Sequence, residues 1–263
     1  MVSLLKLPKS QLYYKSKIKE RDAAFLVEVE TVMMQNPAYG SPRISMALTV
    51  NHKKVERIMK RNNIKAFRRR RKHYKPEDKN QAPTQYPNLL AKLCVISPRI
   101  AYATDFTYID FQGSFIYVAT VIDVFSREIV GWDISARHTA DMMKRCLEMA
   151  FKKGIPVLLH SDQGSEMKSK TYVVYAEDHG VKISMSAKAC PWQNGFQESY
   201  YNGFKLDLGD PSRFQCKGEL IEAIIQTINY YNKNRIHTAL KTSPSKYFEQ
   251  YELNKIKLLK VGN

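Results

Sequence analysis

The chain has 263 residues, 44% hydrophobic and 25% charged, the balance of a soluble globular protein with one main core and an appendage. Its charge is unusual: 42 Lys and Arg against 25 Asp and Glu give a net +17, and residues 1–80 alone hold 20 of those cations and 7 of the acids. A basic front end points to a polyanionic partner, nucleic acid first among them, with a solvated basic face kept for solubility as the alternative; no membrane partner is expected, since no apolar run is long enough to span. The run "FIYVATVIDVF" meets Asp123 after eight residues, too few to cross a bilayer, and "MVSLLKLPKS" is broken by Lys6 and Pro8, unlike a secretory leader. Cys94, Cys146, Cys190 and Cys216 have neither C-x-x-C nor metal-finger spacing, so they are expected to be buried small hydrophobes in a reducing compartment.

In chain order, "YGSPRISMAL" carries Ser41 and Pro42, an N-cap followed by a first-turn proline, and "TVN" (49–51) interrupts it. "HKKVERIMKRNNI" then resumes with Val55, Ile58 and Met59 on one stripe and Lys53, Lys54, Arg57, Lys60 and Arg61 on the other faces. Two short helices across a three-residue turn read as a helix-turn-helix, with a plain helical hairpin as the alternative. The continuation "FRRRRKHYK", with Arg68, Arg69, Arg70 and Arg71, suits phosphate tracking and favours a basic helical DNA-binding domain over residues 1–75. Pro76, Pro83 and Pro87 mark residues 76–98 as a linker, in which "NLLAKLCVI" reads as a strand or short helix.

Three strands follow, "IAYATDFTYIDF", "SFIYVATVIDVF" and "EIVGWDIS", joined tightly at Gln112-Gly113 and Ser126-Arg127 as an antiparallel meander. "ADMMKRCLEMAFKKG" has helical spacing and ends at Gly154, "IPVLLHSD" is a buried strand, a helix covers about 168–179, and "VKISM" is a fifth strand. The order predicts a mixed five-stranded α/β sheet with flanking helices. Leu220, Ile221, Ile224, Ile228 and Tyr231 follow helical spacing, and Ser243-Pro244 starts a further short helix.

Three acids stand where such a sheet gathers function. Asp105 lies inside an apolar strand, where an uncompensated carboxylate is costly; Asp162 ends the fourth strand; Glu198 lies in the helix after the fifth. Together they form a hard-oxygen set suited to Mg²⁺ or Mn²⁺. Taken singly, Asp162 reads as a turn former before Gly164, and Glu198 as a solvated helix residue. Asp123, also in an apolar strand, is a rival ligand whose expected role is pairing with Arg127.

The motifs "TDFTYI", "DVFSREIVGW", "HSDQGSEM", "PWQNGFQESYYNGFK" and "YYNKNRIHTALKTSPSKYF", in that order, closely resemble the B-frame transposases of the insertion-sequence-3 family. Fifty-six residues separate Asp105 from Asp162 and 35 separate Asp162 from Glu198, the latter interval typical of that family. The segment from "YGSPRI" through "VNHKKVERIMKRNNIKA" resembles the helix-turn-helix that precedes its core, with several residues fewer between the two helices.

The resemblance implies an RNase H-like integrase core over residues 99–210 with a helical extension over 211–263. It implies a polynucleotidyl transferase that cuts and joins DNA strands at the ends of an insertion sequence, with Asp105, Asp162 and Glu198 as catalytic and metal-binding residues that hold two Mg²⁺ or Mn²⁺ ions. Lys205, seven residues past Glu198 on the same helix face, is expected at a terminal phosphate, and Asn194 at Glu198 or at DNA. His160 and Gln163 are expected to support Asp162 from behind or to reach DNA. Gln193 stands where relatives carry an acid, and Tyr102 where they carry Trp. Arg235 and His237 are read as folding the core.

Implied partners are the terminal inverted repeats, target DNA, further copies of the chain and an upstream A-frame protein or fusion, in the cytoplasm with the nucleoid. An inactive DNA-binding regulator on the same fold is the alternative, against which the intact acids argue.

Overall fold

A computed structural model describes residues 18–67, 85–188 and 190–261, and the chain divides after Phe67 into two compact units. Arg68, Arg69, Arg70 and Arg71 lie outside the described residues.

Among its described residues the first unit has three helices, α1 (Ile18–Gln35), α2 (Ser41–Ala47) and α3 (His52–Arg61). Phe25, Val29, Tyr39, Ile44, Val55, Ile58 and Met59 are its buried apolar residues, which includes the whole expected stripe of α3. No single element was assigned to α1 from the sequence, beyond the expectation of a helical domain over residues 1–75; Phe25 and Val29, at i, i+4 spacing on one face, are both buried. The cap of α2 is Gly40 rather than Ser41, whose hydroxyl is instead 3.1 Å from His52 Nε2. Asn51 caps α3 by accepting the Lys53 N–H at 2.9 Å.

Buried Asp22 on α1 accepts from Arg57 at 2.7 and 2.7 Å and from Arg61 at 3.0 Å. The Arg57 hydrogen bond, above all, holds its carboxyl below the ordinary 3.8, against the desolvation that raises it. A depressed acid stabilises the fold above its unfolded value and loses that contribution as pH falls through the folded one. Acidification below about pH 4 is therefore expected to lower the amide-exchange protection factors of α1 and α3 in the full chain, measured against the intrinsic rate at each pH, and Asp22→Asn to abolish that dependence.

The second unit is built on a five-stranded sheet of β1 (Ala101–Phe111), β2 (Ser114–Asp123), β3 (Ile129–Ser135), β4 (Leu158–Ser161) and β5 (Lys182–Met185), in the order β3-β2-β1-β4-β5. The meander is antiparallel, and β4 and β5 join it in parallel. Helices α4 (Ala140–Lys153), α5 (Lys170–Asp178), α6 (Gly195–Leu208), α7 (Lys217–Lys233) and α8 (Pro244–Val261) complete it. Alternation along β1 divides the core between the two sheet faces. Ala101, Ala103, Ile109 and Phe111 join Tyr200, Phe204, Leu220, Ile224 and Ile228 of α6 and α7, whereas Tyr102 joins Met142, Met143, Leu147, Tyr172 and Ala176 of α4 and α5. The mixed sheet with flanking helices is the expected fold class.

Several details differ from expectation. Helix α8 runs 18 residues and is not short. Cys146 and Cys190 are buried, but Cys94 and Cys216 are exposed, and none of the four is in a disulfide. Within 76–98, the segment from Asn88 is docked: Leu90 is buried in the α6/α7 cluster, with Leu89 and Val95 packed against it, and the N–H groups of Leu89 and Leu90 donate to Ser184 Oγ at 2.8 and 3.3 Å. Apolar side chains find a core there, which proline content does not report.

Asp123 and Arg127 are joined through the backbone, Arg127 N–H donating to Asp123 O at 2.8 Å, and not by a salt bridge between their side chains. The Asp123 carboxylate accepts from the backbone N–H of Arg99, Phe125 and Ser126 at 2.6, 2.9 and 2.7 Å, closing the β2–β3 turn. Arg127 lies over the Phe196 ring, 4.1 Å from its centre.

Candidate active site

Strand β4 is only four residues long, so it covers β1 no further than Ala103, which pairs with His160. Carrying that parallel register two residues onward sets Asp105 opposite Asp162, just where β4 stops and the edge of β1 opens. Neighbouring strands run about 4.8 Å apart, so topology alone brings the two acid-bearing backbones together.

Helix α6 supplies the third acid. Gln197 is fully buried; its amide donates to Ala103 O at 2.7 Å and Thr120 O at 3.0 Å and accepts from Thr120 Oγ1 at 2.9 Å. One turn later the Tyr201 hydroxyl donates to Asp105 O at 2.7 Å and accepts from Thr120 Oγ1 at 2.8 Å. These two side chains, four residues apart on the inward face, fix the first turn of α6 on the acid-bearing stretch of β1 and point exposed Glu198 away from the core. A carboxylate in a first helical turn also meets the positive end of the helix dipole. Neither Gln197 nor Tyr201 was singled out from the sequence; the available signal was a Gln and a Tyr at i, i+4 spacing flanking Glu198. Tyr201→Phe is expected to cost about 1–2 kcal/mol in thermal unfolding, since it leaves a buried hydroxyl and carbonyl short of a partner.

The electrostatics single out Asp105. Part of the residue reaches solvent, but protein surrounds most of the carboxyl, and that desolvation, reinforced by Asp162 and Glu198 and opposed by the Phe106 N–H at 2.8 Å, pushes it up to about 7. Asp105 therefore senses both of the other acids. Asp162 is exposed, and its Oδ1 accepts the Gly164 N–H at 2.9 Å. It is thus a turn former as well as a site acid.

Among the described residues no three Asp, Glu, His or Cys side chains stand close enough to hold a metal ion as they are. Three like charges resist such closure without a cation between them, and the exposed side chains of Asp162 and Glu198 have rotamer freedom to close. The donor set is all carboxylate, and the two side chains that act on Asp105 are both acids. By this chemistry the site fits a hard divalent cation.

His160 is buried and is the hub behind the site. Its Nδ1 meets Ser184 Oγ at 2.9 Å, and its Nε2 meets Gln193 O at 3.1 Å and Ser186 Oγ at 3.2 Å. Desolvation lowers it to about 4, so the ring is neutral. Gln163 donates to Ser186 O at 3.0 Å, and Gln193 accepts from Ala187 N at 2.7 Å and Asn88 Nδ2 at 3.0 Å. These contacts tie the Asp162 turn to β5 and to the loop before α6. Asn194 is buried and donates to Thr104 O at 3.2 Å, preceding α6 rather than lying on it. Lys205 places its ammonium 5.1 Å from the centre of the Tyr108 ring, along the open edge of β1.

In the first unit, Arg57 and Arg61 turn to Asp22, and Lys54 lies 3.7 Å from the centre of the Phe25 ring. Lys53 and Lys60 are exposed on α3, and among the described residues no ion pair engages them. In the second unit Arg235 pairs with Asp207, both buried, and His237 pairs through its backbone with Thr242.

A mixed sheet with this acid arrangement, following a three-helix unit, defines the class of integrase-type proteins with a helix-turn-helix front. The integrase core domain family matches residues 97–191 and again 179–244, and the HTH-like domain family matches residues 20–72. The transposase for insertion sequence element IS904 of Lactococcus lactis is 33% identical over 81% of this chain and 88% of its own length. The putative transposase for insertion sequence element IS150 of Escherichia coli is 30% identical over 93% of this chain and 90% of its own. A chain of the simian T-cell lymphotropic virus intasome shares the fold at TM-score 0.53 and 14% identity, over 84% of this chain and 74% of that one. The chain belongs to the insertion-sequence-3 family of transposases. No helix among its described residues is long and apolar enough to cross a membrane.

Proposed function

We propose that the protein is a polynucleotidyl transferase that cleaves DNA at the ends of an insertion sequence and joins the freed 3′-hydroxyl to a target strand, with Asp105, Asp162 and Glu198 as its catalytic carboxylates. The observation that carries this reading is the register that sets Asp105 opposite Asp162, with Gln197 and Tyr201 pinning the Glu198 turn beside them. The three carboxylates would hold Mg²⁺ or Mn²⁺, in the two-ion arrangement general to such chemistry, which supplies activation of the attacking oxygen and charge relief for the departing one.

The chain's own residues do the rest. Buried Gln197 and Tyr201 keep the acid-bearing backbones in place, so little reorganisation is needed when substrate arrives. Neutral His160, with Gln163, Gln193 and Asn194, braces the loops that carry Asp162 and Glu198. Lys205, beside the open edge of β1, offers a cation to a terminal phosphate. Lys53 and Lys60 of α3, half-exposed Arg57 and Arg61, Lys54, and the run Arg68 to Arg71 supply backbone contacts to the element ends. Further copies of the chain, and an A-frame protein or fusion, would complete the assembly on DNA, in the cytoplasm.

The test is incubation of the full chain with duplexes carrying the element's own terminal repeats and a labelled target. Cleavage and joined product that need Mg²⁺ or Mn²⁺ and vanish with chelator are expected. DNA binding with neither product, at any divalent concentration, would reduce the protein to a binding module.

A further inference from the structure

We infer that His138 and Glu166 form a latch that holds the Asp162 turn against the Asp105 strand, which makes them positioning residues for the site proposed above; the inference rests on that reading of the acids. His138 lies between β3 and α4, where nothing in the sequence singled it out. Its Nδ1 is 2.6 Å from Glu166 Oε1. The ring stacks on Phe106, the neighbour of Asp105, at 5.4 Å between centres and 11° between planes, and leans on Tyr117 of β2 at 4.9 Å. One imidazole thus touches the strand that carries the first acid and the turn that carries the second.

Glu166 is four residues past Asp162 and folds back towards it. A Cβ built on the intervening Gly164 would lie 3.1 Å from Asp162 Oδ1 and 3.3 Å from Glu166 Oε2, so the two carboxylates flank one glycine. Two acids so placed repel, and Glu166 stays because its oxygens are used: Oε1 by His138 and Oε2 by the Ser165 hydroxyl at 3.0 Å. Its backbone carbonyl accepts from Ser169 Oγ at 2.7 Å, at the cap of α5, so the turn is tied at both ends.

An exposed ion pair ordinarily contributes little. This one differs in that the Glu166 side chain is only 10% exposed and the half-exposed histidine is held by two aromatic faces. The consequence is specific to this site. The three acids do not converge unaided, so the work of closing them depends on how far the Asp162 turn can drift from β1. A drift of about 1 Å in such a constellation costs on the order of a hundredfold in rate.

The experiment compares full-length wild type, His138→Ala and Glu166→Gln, the last retaining an acceptor for the ring. In metal-free buffer, His138→Ala should raise amide exchange about tenfold within residues 163–169 and leave α6 and α7 unchanged. Its Mn²⁺ affinity, titrated on the protein without DNA, should fall about tenfold. Strand joining should show a lower kcat with KM for DNA unchanged, and Glu166→Gln should keep most of the rate. Wild-type exchange in 163–169 of His138→Ala, or loss confined to KM, would overturn the latch. Because the exchange measurement uses neither metal nor DNA, it judges the latch even if the carboxylates prove to have another role; absent Mn²⁺ binding in wild type would instead remove the reading of the acids.

Discussion

Asp105→Asn should abolish strand joining and at the same time make the metal-free protein more stable. The carboxyl of Asp105 is raised to about 7 by burial and by two neighbouring acids, so at pH 8 it is charged in a place that disfavours charge. Asparagine keeps the shape and the oxygen that accepts the Phe106 N–H, and removes the charge. Stability in chelator is expected to rise by on the order of 1–3 kcal/mol, read as a higher Tm. Joining should fall by about a thousandfold or more, because ligand charge underlies several kcal/mol of transition-state stabilisation and each 1.4 kcal/mol is tenfold. Added Mn²⁺ should then raise the Tm of wild type and not that of the variant. A variant that joins strands at the wild-type rate, or melts several degrees lower in chelator, would dispose of the assignment. Opposite signs in the two measurements are the mark of a site that keeps an unfavourable charge for use.

The second large effect lies away from the acids. Arg235, just past α7, pairs with Asp207 of α6, and the two side chains are 6% and 8% exposed. Gly203 makes the approach possible, since a Cβ there would stand 3.0 Å from the Arg235 guanidinium. Arg235→Ala takes away the cation that faces the buried Asp207 carboxylate and is expected to cost about 3–5 kcal/mol in unfolding free energy, a large part of a domain's total. The double replacement Arg235→Met with Asp207→Leu should recover most of that loss, because removing both charges also removes the desolvation cost. If the single variant were as stable as wild type, the pair would have no role in docking α7 on α6. This pairing agrees with reading Arg235 as a residue that folds the core.

The division between what was legible and what was not follows from the range of the interactions. Elements with a strong local period were plain: the three meander strands, the stripe Val55, Ile58, Met59, and the spacing of Leu220, Ile224 and Ile228 all report burial on one face. The stretch of helix α1 was assigned no element of its own, and its buried face, Phe25 and Val29, became plain only in the folded unit. Asp123 and Arg127 were paired by proximity in sequence, whereas the carboxylate takes two backbone donors from the tight turn, Phe125 and Ser126, and a third from Arg99, ahead of β1. The lysines and arginines of α3 all looked outward until Asp22, 35 residues before Arg57, claimed two of them.

By itself the sequence determined the fold class and, through its ordered motifs, the family, and that resemblance named Asp105, Asp162 and Glu198 as the candidate acids. Only the tertiary structure decided how those acids are gathered: the short β4 that leaves β1 open beyond Ala103, the hydrogen bonds of Gln197 and Tyr201 to strand backbone, and the contact of His138 with Glu166. Periodicity records which face of an element is buried, and motifs record which groups are present. Neither records a hydrogen bond between residues 28 to 96 positions apart, whose geometry exists only once the chain has closed.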